Sequence, residues 1–214
     1  MASDENSPRP ARKRARWSNE VIDPQSLQEM KRQAVLRAAA RAFNERGFHQ
    51  TSLDDIAGQL NVSKPALYNY VKSKDDILFE CKRIGLERTQ RAVEMAEELG
   101  GSGLDKLCTF LRLYTEHIFD DFGKCLVLVS NVVLKPETQK ELRDGERYLD
   151  AKLRAFVEQG MADGSIRVTD AKLATFFIFG AFNWMCRWFR EGGEYSAAEI
   201  VEQFLHMVKR GIAA

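Results

Sequence analysis

The side chains of a short segment, residues 63–72, combine the groups that read and hold double-stranded DNA. Those expected to point outward are Lys64, Ala66, Tyr68, Asn69, Tyr70 and Lys72. Asparagine forms paired hydrogen bonds with adenine, lysine reaches guanine or phosphate, and tyrosine hydroxyls bond phosphate oxygens. A small alanine lets the backbone approach the bases closely. This set is typical of a surface that enters the major groove, although any solvated helix pair also carries polar outer residues.

Two short amphipathic helices separated by a tight turn must position these groups. The first is predicted to begin at Thr51 as its N-cap, with Asp54 in the first turn where the helix dipole favours an acid. Its apolar stripe recurs at the helical period and comprises Leu53, Ile56, Ala57 and Leu60. In the turn, Asn61 tolerates left-handed backbone angles, and Val62 is expected to fill the angle between the helices.

The second helix is predicted to start at Lys64, after Ser63 as N-cap. Pro65 falls in the first turn, where its missing N–H is not needed, and Leu67 with Val71 forms the inward face. In a helix-turn-helix the second helix enters the groove by its N-terminal residues. Lys64, Ala66 and Asn69 are therefore best placed to touch bases.

About fifty residues around this pair resemble the TetR family of bacterial transcription regulators. The similarity runs from the amphipathic segment 27–47 through the signature at 47–57 to residues 63–78. Pro65 and the Tyr70-Val71 pair depart from the usual family residues, which affects base contacts more than fold. The resemblance implies an all-α protein of about nine helices, with a three-helix DNA-binding head at 25–74 and an effector-binding and dimerisation domain at 75–214.

The same resemblance implies that Thr51 and Lys74 lie at helix N-termini that face phosphates, and that Tyr68 and Tyr70 face the same DNA backbone. A helix N-terminus attracts phosphate through its free N–H groups and its dipole. The predicted DNA-binding residues are Arg12, Arg14, Thr51, Ser63, Lys64, Ala66, Tyr68, Asn69, Tyr70 and Lys74.

The 214-residue chain has a formal net charge of only +1, so any basic surface that binds nucleic acid must be local. Basic residues are indeed concentrated near the amino terminus. The concentrated cations are Arg9, Arg12, Lys13, Arg14 and Arg16. Residues 1–24 lack apolar periodicity and are predicted to be a disordered basic arm. Such an arm would follow the DNA backbone or enter a minor groove, adding salt-dependent affinity. The alternative is a solubilising tail without specific contacts.

No spacing typical of an enzyme, a metal site or a cofactor site is present in the sequence. The four cysteines and three histidines are scattered, and there is no nucleophile elbow, phosphate-binding glycine loop or dinucleotide fingerprint. We therefore expect no catalysis, no metal and no cofactor, with the thiols buried and reduced. No apolar run is long enough for a membrane span or a signal peptide, so a cytoplasmic location is expected.

The remainder of the chain is predicted to be helical, over residues 74–98, 104–122, 136–161 and 170–190, with a last helix after Ser196. The segment 124–134 is rich in β-branched residues and ambiguous, but a helix is preferred because no second strand is available to pair with it. Ser196 with Glu199 forms a capping box for the last helix, and Gly211 is expected to end it.

The predicted helix 170–190 is apolar on more than one face. Its large rings are Phe176, Phe177, Phe179, Phe182, Trp184, Trp188 and Phe189. A helix that is apolar nearly all round must be covered on both sides. By the family resemblance, the last two helices pack against those of a second copy, and a twofold dimer suits a palindromic operator. The alternative is that both helices simply close an intramolecular core.

The family resemblance further implies a repressor that a small, largely hydrophobic effector releases from its operator. The predicted cavity residues are Phe110, Tyr114, Leu153, Phe177 and Trp184, with Arg112, Asn131, Asn183 or Arg187 available for a polar end of the ligand. A different hypothesis is a protein that coats DNA independently of sequence and has no effector. It would need basic residues spread along the body, whereas here they cluster near the arm and the head.

Overall fold

The computed structural model describes residues 23–214, which form nine α-helices and confirm the all-α prediction. The predicted basic arm, with Arg12 and Arg14, lies almost entirely outside the described residues. The helices are α1 (Pro24–Arg46), α2 (Leu53–Gln59), α3 (Lys64–Leu67), α4 (Lys74–Leu99), α5 (Gly103–Ile118), α6 (Asp121–Leu128), α7 (Pro136–Asp163), α8 (Ala171–Trp188) and α9 (Ala197–Ile212). We call α1–α3 the head and α4–α9 the body; this division of the chain stays a prediction.

The start of α2 differs by one residue from the prediction. Its N-cap is Ser52, whose hydroxyl accepts from the backbone N–H of Asp55 while the Asp55 carboxylate accepts from that of Ser52. Thr51 is only 1% exposed. Its hydroxyl points inward, toward the carbonyl oxygens of Ala42 at 3.2 Å and Gly47 at 2.9 Å. The prediction of Thr51 as the N-cap is therefore wrong, because its hydroxyl donates to carbonyls at the end of α1 and does not accept from the first turn of α2.

The turn between α2 and α3 is partly as predicted. Asn61 has the left-handed φ of 53°, and Ser63 caps α3 by accepting from the N–H of Ala66 at 3.4 Å. Val62, in contrast, is 42% exposed and does not fill the angle between the helices. Leu67 and Val71, the predicted inward face, are both buried as expected. Val62 contributes its backbone N–H instead, which donates to the carbonyl of Ala57 at 3.0 Å.

The long helix α4 joins the head to the body, since it packs against α1 as well as α5, α6 and α7. Lys82, on this helix, is 1% exposed, and its Nζ donates to the carbonyls of Leu126, at 3.1 Å, and Val129 at the end of α6. Burial lowers the pKa of Lys82. A cation at this position suits the negative end of the helix dipole, so Lys82 ties α6 to α4.

Several helices of the body begin or end at other residues than predicted, because capping residues interrupt or extend them. The expected helix 104–122 divides at Asp120, whose Oδ1 accepts from the N–H groups of Phe122 and Gly123 and so starts α6. The ambiguous segment 124–134 is helical up to Leu128 and then becomes a 3₁₀ turn at Asn131–Val133. The Ser196–Glu199 capping box is confirmed, whereas α9 runs through Gly211 to Ile212.

The start of α5 approaches α7 so closely that a side chain at Gly103 would collide with the backbone of Gly160 and Phe156. We therefore expect Gly103→Ala to lower the free energy of unfolding by about 1–3 kcal/mol, the usual cost of overpacking. Urea denaturation checks this value. Gly58→Ala is the control, since a Cβ there meets nothing within 4 Å. The control should be neutral or stabilising by up to about 1 kcal/mol, and equal losses in the two variants would contradict the prediction.

Candidate functional site

The polar residues predicted to read DNA remain accessible on α3 and the turn that follows it. Lys64, Tyr68, Asn69 and Lys72 are exposed, and Ala66 and Tyr70 are half-buried. Lys64 Nζ lies 2.8 Å from Asp54 Oδ2 of α2, and this contact raises the pKa of Lys64. The exposed ion pair braces α3 against α2 without burying the lysine. We call Lys64, Ala66, Tyr68, Asn69 and Lys72 the recognition surface.

Thr51 and Lys74 are placed differently from what the resemblance implied. Lys74 does open α4, but its Nζ donates to the carbonyls of Phe48 at 2.9 Å and Thr51 at 3.0 Å, and lies 4.2 Å from the centre of the Phe48 ring. Lys74 and Thr51 thus hold the loop between α1 and α2. The accessible hydroxyl at the start of α2 belongs to Ser52, which sequence reasoning missed although Ser52-x-x-Asp55 is a capping-box pattern.

A cavity of about 660 Å³, open to solvent on one side, lies in the body and is lined by α4 to α8. Its lining residues are Leu86, Thr89, Tyr114, Leu126, Val127, Arg143, Glu146, Arg147, Leu149, Asp150, Leu153, Phe176, Phe179, Gly180 and Asn183. Of the five predicted cavity residues, Tyr114 and Leu153 belong to this set. Phe110 does not, because it is fully buried behind the wall and stacks on Tyr114 and Phe179.

The other two predicted cavity residues lie on the wrong side of α8. Phe177 is 74% exposed and Trp184 is 61% exposed, whereas the cavity residues of this helix are Phe176, Phe179, Gly180 and Asn183. That spacing of i, i+3, i+4 and i+7 defines one helix face. The periodicity was available in the sequence, but it did not reveal which of two apolar faces turns inward.

Only Asn183 among the predicted polar groups lines this cavity. The Tyr114 hydroxyl donates to Asn183 Oδ1 at 2.6 Å, and burial raises the pKa of Tyr114, which keeps it protonated. Arg112 pairs with Glu202, Asn131 donates to Glu146 at 2.9 Å, and Arg187 lies over the Trp184 ring. Sequence reasoning missed the charged α7 residues Arg143, Glu146, Arg147 and Asp150, since a charged stripe on a long helix is usually solvated.

A continuous set of contacts links the cavity to the head through α6. Leu126 and Val127 at the carboxyl end of this helix line the cavity. Asp121 at its other end pairs with Arg41 at 3.1 Å, and the Asp121 carbonyl accepts from Asn44 Nδ2 at 2.8 Å. Both partners belong to α1. Helix α6 therefore connects the cavity wall to the head by direct contacts.

Large apolar side chains remain exposed on α8, α9 and the segment between them. They are Leu173, Phe176, Phe177, Trp184, Trp188, Tyr195 and Met207. Exposed large apolar side chains in such number often mark an interaction site. We call Leu173, Phe177, Trp184 and Trp188 the outer face of α8.

Within residues 23–214, no three His, Cys, Asp or Glu side chains are grouped so that they could bind a metal ion. All four cysteines are buried free thiols. In this same range, no helix has the length and apolar character needed to cross a bilayer.

A helix-turn-helix head joined by a long helix to an all-α body with a cavity defines a class of DNA-binding transcriptional regulators. Two family models match the chain: "Bacterial regulatory proteins, tetR family" over residues 35–81, and "Tetracyclin repressor-like, C-terminal domain" over residues 100–212. The protein belongs to the TetR family, as its sequence motifs indicated.

Relatives with known roles are similar along most of the chain. The HTH-type transcriptional repressor KstR2 of Mycolicibacterium smegmatis is 28% identical over 200 residues, which cover 89% of this chain and 94% of the relative. The solved TetR-family regulator PfmR from Thermus thermophilus is 29% identical, with a TM-score of 0.74, covering 82% of this chain and 97% of PfmR. The ketosteroid transcriptional regulator KstR2 of Mycobacterium tuberculosis shares the fold, with a TM-score of 0.80, 24% identity and coverage of 86% and 95%.

Proposed function

We propose that this protein is a repressor that binds operator DNA as a homodimer and is released by a small, largely hydrophobic effector. The observation that carries the proposal is the position of the cavity. It is walled by α4 and α6, and these two helices also pack against α1 of the head. A ligand in the cavity thus lies one helix away from the DNA-binding unit.

Release follows from differential binding to two arrangements of the heads. An effector that fits only the arrangement unsuited to the operator shifts the population toward it, and operator affinity falls by the same coupling free energy. The contacts that would carry this shift are the Lys82 bonds to the end of α6 and the Asp121 contacts to Arg41 and Asn44.

The partner in the proposed dimer is a second copy packed through α8 and α9. Nothing in residues 23–214 covers the outer face of α8, and its two large rings, Phe177 and Trp184, are mostly exposed. A twofold dimer would present two recognition surfaces to half-sites about 34–36 Å apart. Dimerisation would thus bury the outer face of α8 and also provide the second set of DNA contacts.

The DNA-contacting residues we propose are Ser63, Lys64, Ala66, Tyr68, Asn69, Tyr70 and Lys72, with Ser52 in place of the Thr51 hydroxyl. Lys74 is assigned to positioning the loop between α1 and α2. Arg12 and Arg14 remain predicted contacts of the arm. Binding that is independent of sequence is not favoured, because a related protein that matches nearly the whole chain is a transcriptional repressor.

Competition binding tests the proposal. A fragment from upstream of the protein's own coding region competes against bulk DNA at two salt concentrations, because non-specific binding is mainly electrostatic. A repressor should prefer its operator by about 10³-fold or more at physiological salt. Equal affinity for all duplexes would contradict specific recognition and support the coating alternative.

Asn69→Ala is expected to relax discrimination at one operator position, at a cost of about 1–3 kcal/mol, because paired hydrogen bonds to adenine would be lost. Binding to an operator series with each base pair substituted in turn measures this. Glu158→Gln, at an exposed position of α7 away from the head and the proposed dimer interface, serves as the control and should leave the series unchanged. Unaltered discrimination in the Asn69 variant would remove this residue from the site.

A further inference from the structure

We propose that the effector is an elongated anionic amphiphile. Its anionic end would be held by Arg143 and Arg147 at the mouth of the body cavity, and an oxygen acceptor within its apolar part would be held by Asn183. This inference rests on the proposed function and gives the ligand a chemical class.

The mouth of the cavity carries two guanidinium groups on one face of α7. Arg143 and Arg147 are four residues apart, so they are neighbours on the helix surface, and both are exposed while lining the cavity. Within residues 23–214, Arg143 has no carboxylate within 4.0 Å, and Arg147 makes one contact, with Asp144 at 3.5 Å. Paired guanidinium groups suit a carboxylate or a phosphate, since they donate several hydrogen bonds in a plane.

The two carboxylates of the same wall are already engaged. Glu146 accepts from Asn131 at 2.9 Å. Burial lowers the pKa of the Lys82 ammonium, and the negative charge of Glu146 partly offsets this lowering. Asp150 pairs with Arg154 one turn along α7. Both acids have partners of their own, whereas the arginines retain free donors, so the mouth favours an anion over a cation.

A polar anchor lies among the apolar walls. Asn183 Oδ1 accepts from the Tyr114 hydroxyl, which leaves the Nδ2 group as the donor. Asn183 is half-buried, and in the part of the chain that the structure describes its Nδ2 donates to no protein acceptor. A carbonyl or hydroxyl oxygen of the ligand would satisfy it, and a purely hydrocarbon ligand would leave it unmatched.

The length of the cavity follows from its α7 wall. Leu153 is buried at one end and Arg143 is exposed at the other, and ten residues of helix span about 15 Å. The side chains between these ends and opposite them include Leu149, Phe179 and Leu126. The ligand therefore needs an apolar body of roughly this length between its far end and its charge.

Three matched probes test the proposal: dodecanoate, methyl dodecanoate and dodecyltrimethylammonium, which have similar apolar length and different charge. Thermal shift measures their binding to the full chain, and release of labelled operator DNA is measured separately. Dodecanoate should bind at least about tenfold more tightly than the ester, equivalent to about 1.4 kcal/mol. The ammonium compound should bind more weakly than either.

Substitutions locate the two contacts. Arg143→Gln with Arg147→Gln should reduce dodecanoate affinity to that of the ester and leave the ester unaffected, while the corresponding lysine pair should retain most of the preference. For the Asn183 contact the probe is 6-oxododecanoate, which carries a carbonyl oxygen within its chain: Asn183→Leu should weaken its binding, and should not weaken dodecanoate or its ester, whose chains carry no acceptor. Arg112→Gln, which removes an arginine outside the cavity, is the control. Equal binding of acid and ester, tighter binding of the ammonium compound, or no binding of any probe by a protein that still binds its operator would overturn the proposal.

Failure of the proposed function gives a different result. If dodecanoate binds in an arginine-dependent manner and the operator is not released, the ligand class stands and effector-controlled repression does not. If the operator is not recognised at all, the binding measurements still decide the ligand class.

Discussion

A double variant, Phe177→Glu with Trp184→Glu, is expected to be a folded monomer that has lost specific operator binding. Both side chains are largely exposed within residues 23–214, so the substitutions remove little intramolecular packing beyond the contact of Arg187 with the Trp184 ring. In the proposed dimer they would bury four carboxylates at the interface, and an unpaired buried charge is strongly destabilising. Since a monomer contacts one half-site, operator affinity should fall to the non-specific level, about 10³-fold or more.

Analytical ultracentrifugation and operator titration measure the two effects. The matched control is Leu99→Glu with Val132→Glu, which adds the same charge at two exposed apolar positions away from α8 and α9. The control should remain dimeric and bind the operator normally. A dimer that persists in the α8 variant would show that the chains associate elsewhere or that the outer face of α8 has another partner.

Lys74→Met is expected to weaken operator binding by about 3 kcal/mol while leaving its salt dependence unchanged. The ammonium donates to two backbone carbonyls and lies over the Phe48 ring, and hydrogen bonds to charged groups contribute about 1.5–3 kcal/mol each. Its loss should release the loop that sets the start of α2. If Lys74 only positions the loop, its substitution lowers operator affinity without changing the salt dependence. If Lys74 contacts a phosphate, its substitution also lowers the slope of affinity against salt concentration.

Operator affinity measured over a series of salt concentrations separates these roles. Lys72→Met is the matched control, because Lys72 is exposed beside α3 with its side chain available to DNA. That variant should reduce the salt slope by about 1. A reduced slope in the Lys74 variant would restore Lys74 as a phosphate contact and refute the positioning role.

The head could be predicted closely because its determinants are local. Ser63 as N-cap, Pro65 in the first turn, the left-handed Asn61 and the buried pair Leu67 and Val71 all occur as the sequence indicated. Each depends on residues within a few positions along the chain. The error at Thr51 arose because carbonyl groups at the end of the preceding helix compete for its hydroxyl: Thr51 donates to Ala42 and Gly47 and leaves the cap to Ser52.

For the chain as a whole, the sequence by itself determined the helical class, the family and the existence of an α8 with two apolar faces. Periodicity and capping chemistry are properties of neighbouring residues, so they can be recognised without knowing how the helices pack. Which face of α8 lines the cavity was decided only by the tertiary structure: Phe176, Phe179 and Asn183 line it, and Phe177 and Trp184 do not. The sequence also did not show that charged residues of α7 line the cavity. Their position depends on how α7 packs against α8, which is a property of the tertiary structure.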